Sequence, residues 1–66
     1  MLINLNGKSH ETPEGTTIAQ LIEQLNLADQ ACAVEVNKAL VTKANHATHT
    51  LSEGDTVELV TLVGGG

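Results

Sequence analysis

The stretch VELVTLVGGG, residues 57–66, decides how we interpret the rest of the chain. Its β-branched and aliphatic residues predict a strand, and alternate residues of a strand point to opposite faces of a sheet. Because Glu58 carries a charge, its face is predicted to be the outer one. We assign Val57, Leu59 and Thr61 to the inner face, and Glu58, Val60 and Leu62 to the outer face.

Three glycines, Gly64, Gly65 and Gly66, follow this strand. Without Cβ atoms, such a backbone can enter a slot too narrow for side chains, and it can adopt either sign of φ. Extended, three residues reach roughly 10 Å beyond the strand. We therefore predict a folded domain over residues 1–63 and a flexible tail over residues 64–66, with the Gly66 carboxylate as the reactive group. The alternative is a merely frayed end.

The outer face of the last strand predicts a docking patch beside this tail. Val60 and Leu62 share that face with Glu58, which leaves two aliphatic side chains exposed next to the glycines. Contiguous exposed apolar residues often form interaction sites, although scattered ones are ordinary. We expect Val60 and Leu62 to contact a partner protein.

Residues 1–12 predict a β-hairpin. Residues 1–6 alternate with a period of two, which is typical of a half-buried strand, and the following Asn6-Gly7 pair suits a two-residue type I′ turn. Such a turn places Ile3 opposite His10. His10 is therefore expected at the core side or the margin of the sheet, on a polar strand, residues 8–12, that lies at the sheet edge.

Residues 17–26 predict an amphipathic helix. The sequence Thr17-Ile18-Ala19-Gln20 has the form of a capping box, with Thr17 as the N-cap. Apolar residues then recur at i, i+3, i+4 and i+7, and form one stripe along the helix. We expect the helix to run to about Asn26.

The remaining chain predicts further strands of the same sheet. Residues 32–37 alternate like a strand, Leu40-Val41 suits a brief strand, and residues 42–50 are polar and loop-like. A hairpin, one helix and returning strands predict an α+β roll, with one main helix packed across a mixed sheet of four to five strands. The predicted core consists of Ile3, Leu5, Ile18, Leu21, Ile22, Leu25, Val34, Val36, Val57 and Leu59.

Composition excludes several classes of function. Three lysines, no arginine and a net charge of −5 argue against a nucleic-acid partner and favour a partner with a basic surface. A single cysteine provides neither an internal disulfide nor a zinc-thiolate set. No signal peptide or membrane-spanning run is recognisable, so we expect a cytoplasmic protein with no membrane partner.

Two other groups of residues could carry chemistry. Cys32 could be a nucleophile, but its place in a strand pattern favours a small buried core residue. His46 and His49 lie three residues apart without a third ligand, which favours a solvated loop over a metal site. No Walker-type loop is present, so we expect the chain to bind no cofactor and any ATP to be bound by a partner enzyme.

Five stretches together resemble the sulfur carrier proteins of thiamine biosynthesis, the ThiS family of ubiquitin-like β-grasp proteins. No single stretch is decisive, but their order and the diglycine after the last strand are fairly specific. Gly64 departs from the family pattern by extending the diglycine to three. The stretches are Asn6-Gly7, Thr17-Ile18-x-x-Leu21-Ile22, Ala33-Val34-Glu35-Val36-Asn37, Leu51-x-x-Gly54-Asp55-x-Val57-x-Leu59 and Gly65-Gly66.

This resemblance implies a carrier that is a substrate of other enzymes. An E1-like enzyme would adenylate Gly66 with ATP, a sulfur-donating enzyme would supply the sulfur of a thiocarboxylate, and a thiazole synthase would accept it. Three alternatives stay open. They are the small subunit of molybdopterin synthase, a ubiquitin-like modifier conjugated through Gly66, and a binding module with an inert tail.

Overall fold

A computed structural model of the chain describes residues 1–62 and shows a mixed five-stranded sheet with one α-helix. The strand order is β2-β1-β5-β3-β4, and β1 and β5 are parallel whereas the other neighbours are antiparallel. The predicted α+β architecture is therefore confirmed. The elements are β1 (Leu2–Leu5), β2 (Lys8–Glu11), α1 (Ile18–Gln24), β3 (Cys32–Val36), β4 (Ala39–Val41), a short 3₁₀ helix (Lys43–Asn45) and β5 (Thr56–Thr61).

The hairpin forms in the predicted register, with Ile3 opposite His10. Its turn residues Asn6 and Gly7 have φ values of 51° and 84°, as a type I′ turn requires. His10 is half-buried at the sheet margin, as expected. Its Nε2 atom is buried and has no hydrogen-bond partner among the described residues.

Helix α1 begins as predicted and ends earlier than predicted. Thr17 accepts a hydrogen bond from the Gln20 amide, and the Gln20 side chain accepts one from the Thr17 amide, which completes the capping box. Asn26, expected inside the helix, instead has φ 60°. The Leu27 amide donates to the Ile22 carbonyl at 3.0 Å and the Asn26 amide to the Glu23 carbonyl at 3.0 Å, so the helix stops in a Schellman motif.

The core lies between α1 and the sheet, and it contains most of the predicted residues. Leu5 and Leu25 are only partly buried and pack against its margin. Leu51, which is 2% exposed, belongs to the core but was not predicted, because it stands alone in a polar stretch without a strand or helix period. The buried apolar residues are Ile3, Ile18, Leu21, Ile22, Val34, Val36, Leu51, Val57 and Leu59.

The prediction that His46 lies in a solvated loop was wrong. His46 is 6% exposed, and its Nε2 lies 3.0 Å from the Val41 carbonyl oxygen. Because that oxygen can only accept, Nε2 carries the proton of this hydrogen bond. The loop folds back because the Ala19 amide donates to the His46 carbonyl and the Ile18 amide to the His49 carbonyl, which satisfies the first amides of α1.

The predicted tail, residues 64–66, and the predicted domain boundary at Val63 lie outside the described residues. None of the helices in residues 1–62 has the length and apolar character needed to cross a membrane.

Candidate functional site

Strand β5, which leads to the glycines, is held on both sides by neighbouring strands. It pairs in parallel with β1 and antiparallel with β3, where Cys32 lies opposite Thr61. The Leu62 amide continues this pairing by donating to the Ala31 carbonyl at 2.8 Å. The backbone is therefore anchored up to Leu62, the last described residue.

Two asparagine side chains extend the pairing of β5 where main-chain ladders stop. Asn6 bonds through its amide group to both the carbonyl and the amide of Leu59. At the start of the strand, the Asn37 side chain accepts a hydrogen bond from the Thr56 amide at 3.0 Å and donates one to Asp55 at 3.1 Å. These contacts fix the position along the sheet from which the chain continues beyond Leu62.

Within β5, Thr56–Thr61, the faces are those assigned from the sequence, and Leu62 lies one residue beyond the end of the strand. Val57 and Leu59 are buried against the core, whereas Val60 is 58% exposed and Leu62 is 56% exposed. Their exposure satisfies one requirement of a docking patch, and their contact with a partner stays a prediction.

Leu62 also borders a groove on the helix side of the sheet. The groove lies between α1, the segment that follows α1 and the loop after β4, and Ile22, Cys32 and His46 contribute to its lining. Leu62 therefore contributes to the helix side of the sheet, whereas Val60 is not part of the lining of this groove.

Cys32 is half-buried at the margin of the core, so the prediction of a buried core residue was correct only in part. Its Sγ lies 3.6 Å from the Gln30 carbonyl oxygen, a weak hydrogen bond to an acceptor that cannot activate the thiol. Within residues 1–62, no group of three or more His, Cys, Asp or Glu side chains is arranged to hold a metal ion.

On the outer face of the sheet, the structure pairs residues whose pairing was not predicted from the sequence. Glu58 lies directly opposite Glu35 on β3, and Glu35 lies opposite Leu40 on β4. Leu40 is 65% exposed. The alternation within each strand predicts that Glu35 and Glu58 point outward, but the register that pairs them depends on tertiary structure.

Comparison with known proteins gives consistent matches. The model of the ThiS family matches residues 3–66. The chain is 29% identical to the sulfur carrier protein ThiS of Escherichia coli, with all of both chains covered. The crystal structure of a thiamine biosynthesis protein (ThiS) from Geobacter metallireducens superposes with a TM-score of 0.82 at 30% identity, again over all of both chains.

Longer proteins also match. The chain is 41% identical over 66 residues to a thiazole synthase of Magnetococcus marinus and 30% identical to one of Paramagnetospirillum magneticum. It spans 20% of the length of each of these relatives.

Proposed function

The chain belongs to the ThiS family, and on this premise we propose that it is a sulfur carrier that supplies sulfur for thiazole formation in thiamine biosynthesis. The observation that carries the proposal is the family match over residues 3–66. The β-grasp fold, shared with a ThiS crystal structure at a TM-score of 0.82, supports it. The matched relatives favour thiamine biosynthesis over the molybdopterin pathway, because their names refer to thiamine or thiazole.

The proposed chemistry takes place at the carboxylate of Gly66. A carboxylate is a poor electrophile, so one of its oxygens first attacks the α-phosphorus of ATP, and pyrophosphate leaves. A donor at the oxidation level of sulfide then attacks the acyl carbon of the adenylate. A C–S bond forms, the C–O bond to AMP breaks, and the product is a thiocarboxylate.

The chain's own contribution to this chemistry is positioning. In the proposal, Gly64 and Gly65 pass through a narrow slot of the activating enzyme, and the absence of a side chain on Gly66 leaves the acyl carbon open to the attacking sulfur. Val60 and Leu62 dock against the E1-like adenylating enzyme, which binds the ATP. Anchoring of β5 by Asn6 and Asn37 supports this role, because it fixes the strand that carries Val60 and leads to Leu62.

The proposed partners are the adenylating enzyme, a sulfur-donating enzyme and a thiazole synthase. The names of the longer relatives support the last of these, since each is called thiazole synthase and contains a segment similar to this chain. We place the carrier in the cytoplasm, where a reducing environment suits its free Cys32.

Reconstitution tests the proposed function. The chain is incubated with ATP, sulfide and the activating enzyme of the same organism, and then with either that organism's thiazole synthase or the large subunit of molybdopterin synthase. Thiazole formation that requires Gly65 and Gly66 would support the proposal. Molybdopterin formation without thiazole would contradict it, as would covalent transfer of the chain to lysines of other proteins as the main product.

A further inference from the structure

The groove on the helix side of the sheet is lined largely by small apolar side chains. An alanine side chain extends only one carbon from the main chain, so the walls leave room for an occupant to approach their backbone. A segment without Cβ atoms is the kind of chain that makes such an approach most easily. The apolar lining consists of Ala19, Ile22, Ala28, Ala31, Ala47 and Leu62.

Two side chains of the loop after β4 add polar character to this groove. His46 is 6% exposed, and because its Nε2 donates to the Val41 carbonyl, the neutral ring keeps Nδ1 as an acceptor. Among residues 1–62, no group donates a hydrogen bond to this Nδ1. Lys43, an exposed cation, also lines the groove. An occupant with a main-chain N–H and a carboxylate would therefore complement both side chains.

Four residues of the chain follow Leu62, and their path begins at this groove. The Leu62 amide donates to the Ala31 carbonyl at 2.8 Å, and both residues belong to the lining. Four extended residues span roughly 13 Å. This reach exceeds the length of the seven-residue helix α1, roughly 10 Å, which forms one wall. Since glycine adopts either sign of φ, the segment can turn toward the helix.

We propose that residues 63–66 occupy this groove when no enzyme is bound. A glycine amide donates to Nδ1 of His46, and the Gly66 carboxylate lies beside Lys43, away from Glu23 on the α1 wall. In this position the carboxylate is shielded, so the activating enzyme binds only the fraction of chains whose tail has left the groove. This consequence for activation rests on the proposed function, whereas occupancy of the groove by the tail does not.

Connectivity favours the tail over a second copy of the chain or a side chain of a partner. The tail is joined to Leu62 at the border of the groove, so its effective concentration there is in the range typical of short linkers, millimolar. A second copy would have to approach against the repulsion between two chains that each carry a net charge of −5.

NMR spectroscopy of the full chain tests the position of the tail. We expect nuclear Overhauser contacts (NOEs) between the glycine Hα atoms and the methyl groups of Ala31 and Ala47. The glycine amides should have order parameters above about 0.6, below which a backbone is flexible. Ala47→Leu fills the groove, so it should remove the NOEs and lower the order parameters. Ala44→Leu is the matched control, because Ala44 is exposed in the same loop but lies outside the lining.

ATP–pyrophosphate exchange by the activating enzyme of the same organism tests the consequence for activation. Ala47→Leu and Lys43→Gln should each lower the KM for the carrier about threefold, as expected for a tail that is in the groove about two-thirds of the time. The value of kcat should not change. Ala44→Leu and Lys38→Gln are the controls, since Lys38 is also exposed but does not line the groove.

Four outcomes would overturn this inference. Order parameters below about 0.6 in the unaltered chain, without the glycine–alanine NOEs, would show that the tail is free. NOEs between labelled and unlabelled chains in a mixture would assign the groove to a second copy. A higher KM for Ala47→Leu would assign it to the activating enzyme, and equal KM changes in variants and controls would show that the tail does not limit activation.

The proposed function fails separately from this inference. Absence of exchange with the unaltered chain would contradict adenylation of Gly66, but the NMR result would still decide whether the tail occupies the groove.

Discussion

The side chain of Asn6 forms two hydrogen bonds with the main chain of Leu59. Its Nδ2 donates to the Leu59 carbonyl at 3.0 Å, and its Oδ1 accepts from the Leu59 amide at 2.8 Å. The Asn6 amide also donates to the Val57 carbonyl at 2.9 Å. Asn6, in the turn of the first hairpin, thus forms hydrogen bonds to β5 that a longer β1 strand would otherwise form. These bonds hold β5 just before its exposed end.

We expect Asn6→Gly to lower the free energy of unfolding by about 1–3 kcal/mol, because two net hydrogen bonds are lost while glycine tolerates the positive φ. Urea denaturation measures the change. Asn26→Gly is the matched control, since Asn26 has a similar φ of 60° and is exposed. Equal stability changes in the two variants would show that the Asn6 side chain does not anchor β5.

The capping box predicts a second stability difference. Thr17→Ala should cost about 1 kcal/mol because an N-terminal amide of α1 loses its acceptor, and Thr17→Ser should restore most of it. Thr42→Ala is the control, because Thr42 precedes the 3₁₀ helix without a side-chain cap. Thermal unfolding compares the three variants, and a loss in Thr42→Ala as large as that in Thr17→Ala would contradict this role.

Short sequence motifs predicted the parts of the fold that are determined by residues close together in the sequence. The Asn6-Gly7 turn set the hairpin register, and the Thr17 capping box set the start of α1. Burial of Leu51 and His46 was not predictable in the same way, because it depends on contacts between the β4–β5 loop and the start of α1. The cross-strand pairing of Glu35 with Glu58 likewise required the sheet topology.

Of the candidate site, only the features that follow from the alternation of residues within one strand were predictable from the sequence. Alternation along β5 predicted that Val60 is exposed, which is confirmed. Leu62 is also exposed, but it lies beyond the end of β5 and borders the groove on the helix side. Their contact with a partner and the role of the glycines stay predictions. The groove beside Leu62 was not predicted, since residues distant in sequence form it.

Docking through the end of β5 predicts a position-dependent effect of a new charge. Val60→Asp and Leu62→Asp should each raise the KM of adenylation, and they should change the melting temperature only slightly because both positions are exposed. Leu2→Asp is the control, because Leu2 is exposed to a similar extent but lies near the beginning of β5. A large fall in melting temperature for Val60→Asp would mean that Val60 faces the core and that β5 is oriented the other way. A comparable KM increase for Leu2→Asp would show that docking does not depend specifically on Val60 and Leu62.

The glycines predict a gradient of effects along the tail. Gly65→Val and Gly66→Val should both strongly reduce adenylation, since a β-branched side chain restricts φ and crowds the slot and the reacting carbonyl. Gly64→Val should have a smaller effect because it lies farther from the reaction. ATP–pyrophosphate exchange measures all three variants, and full activity of Gly66→Val would show that the slot does not require glycine.

The most direct test is the intact mass of the chain after incubation with ATP, the activating enzyme and sulfide, followed by alkylation and peptide mapping. We predict a mass increase equal to the difference between one sulfur and one oxygen atom, with the alkylated group on the peptide that contains Gly66. A variant with one residue added after Gly66 should keep its original mass. Sulfur found on Cys32 instead, with the carboxylate of Gly66 unchanged, would contradict the thiocarboxylate mechanism.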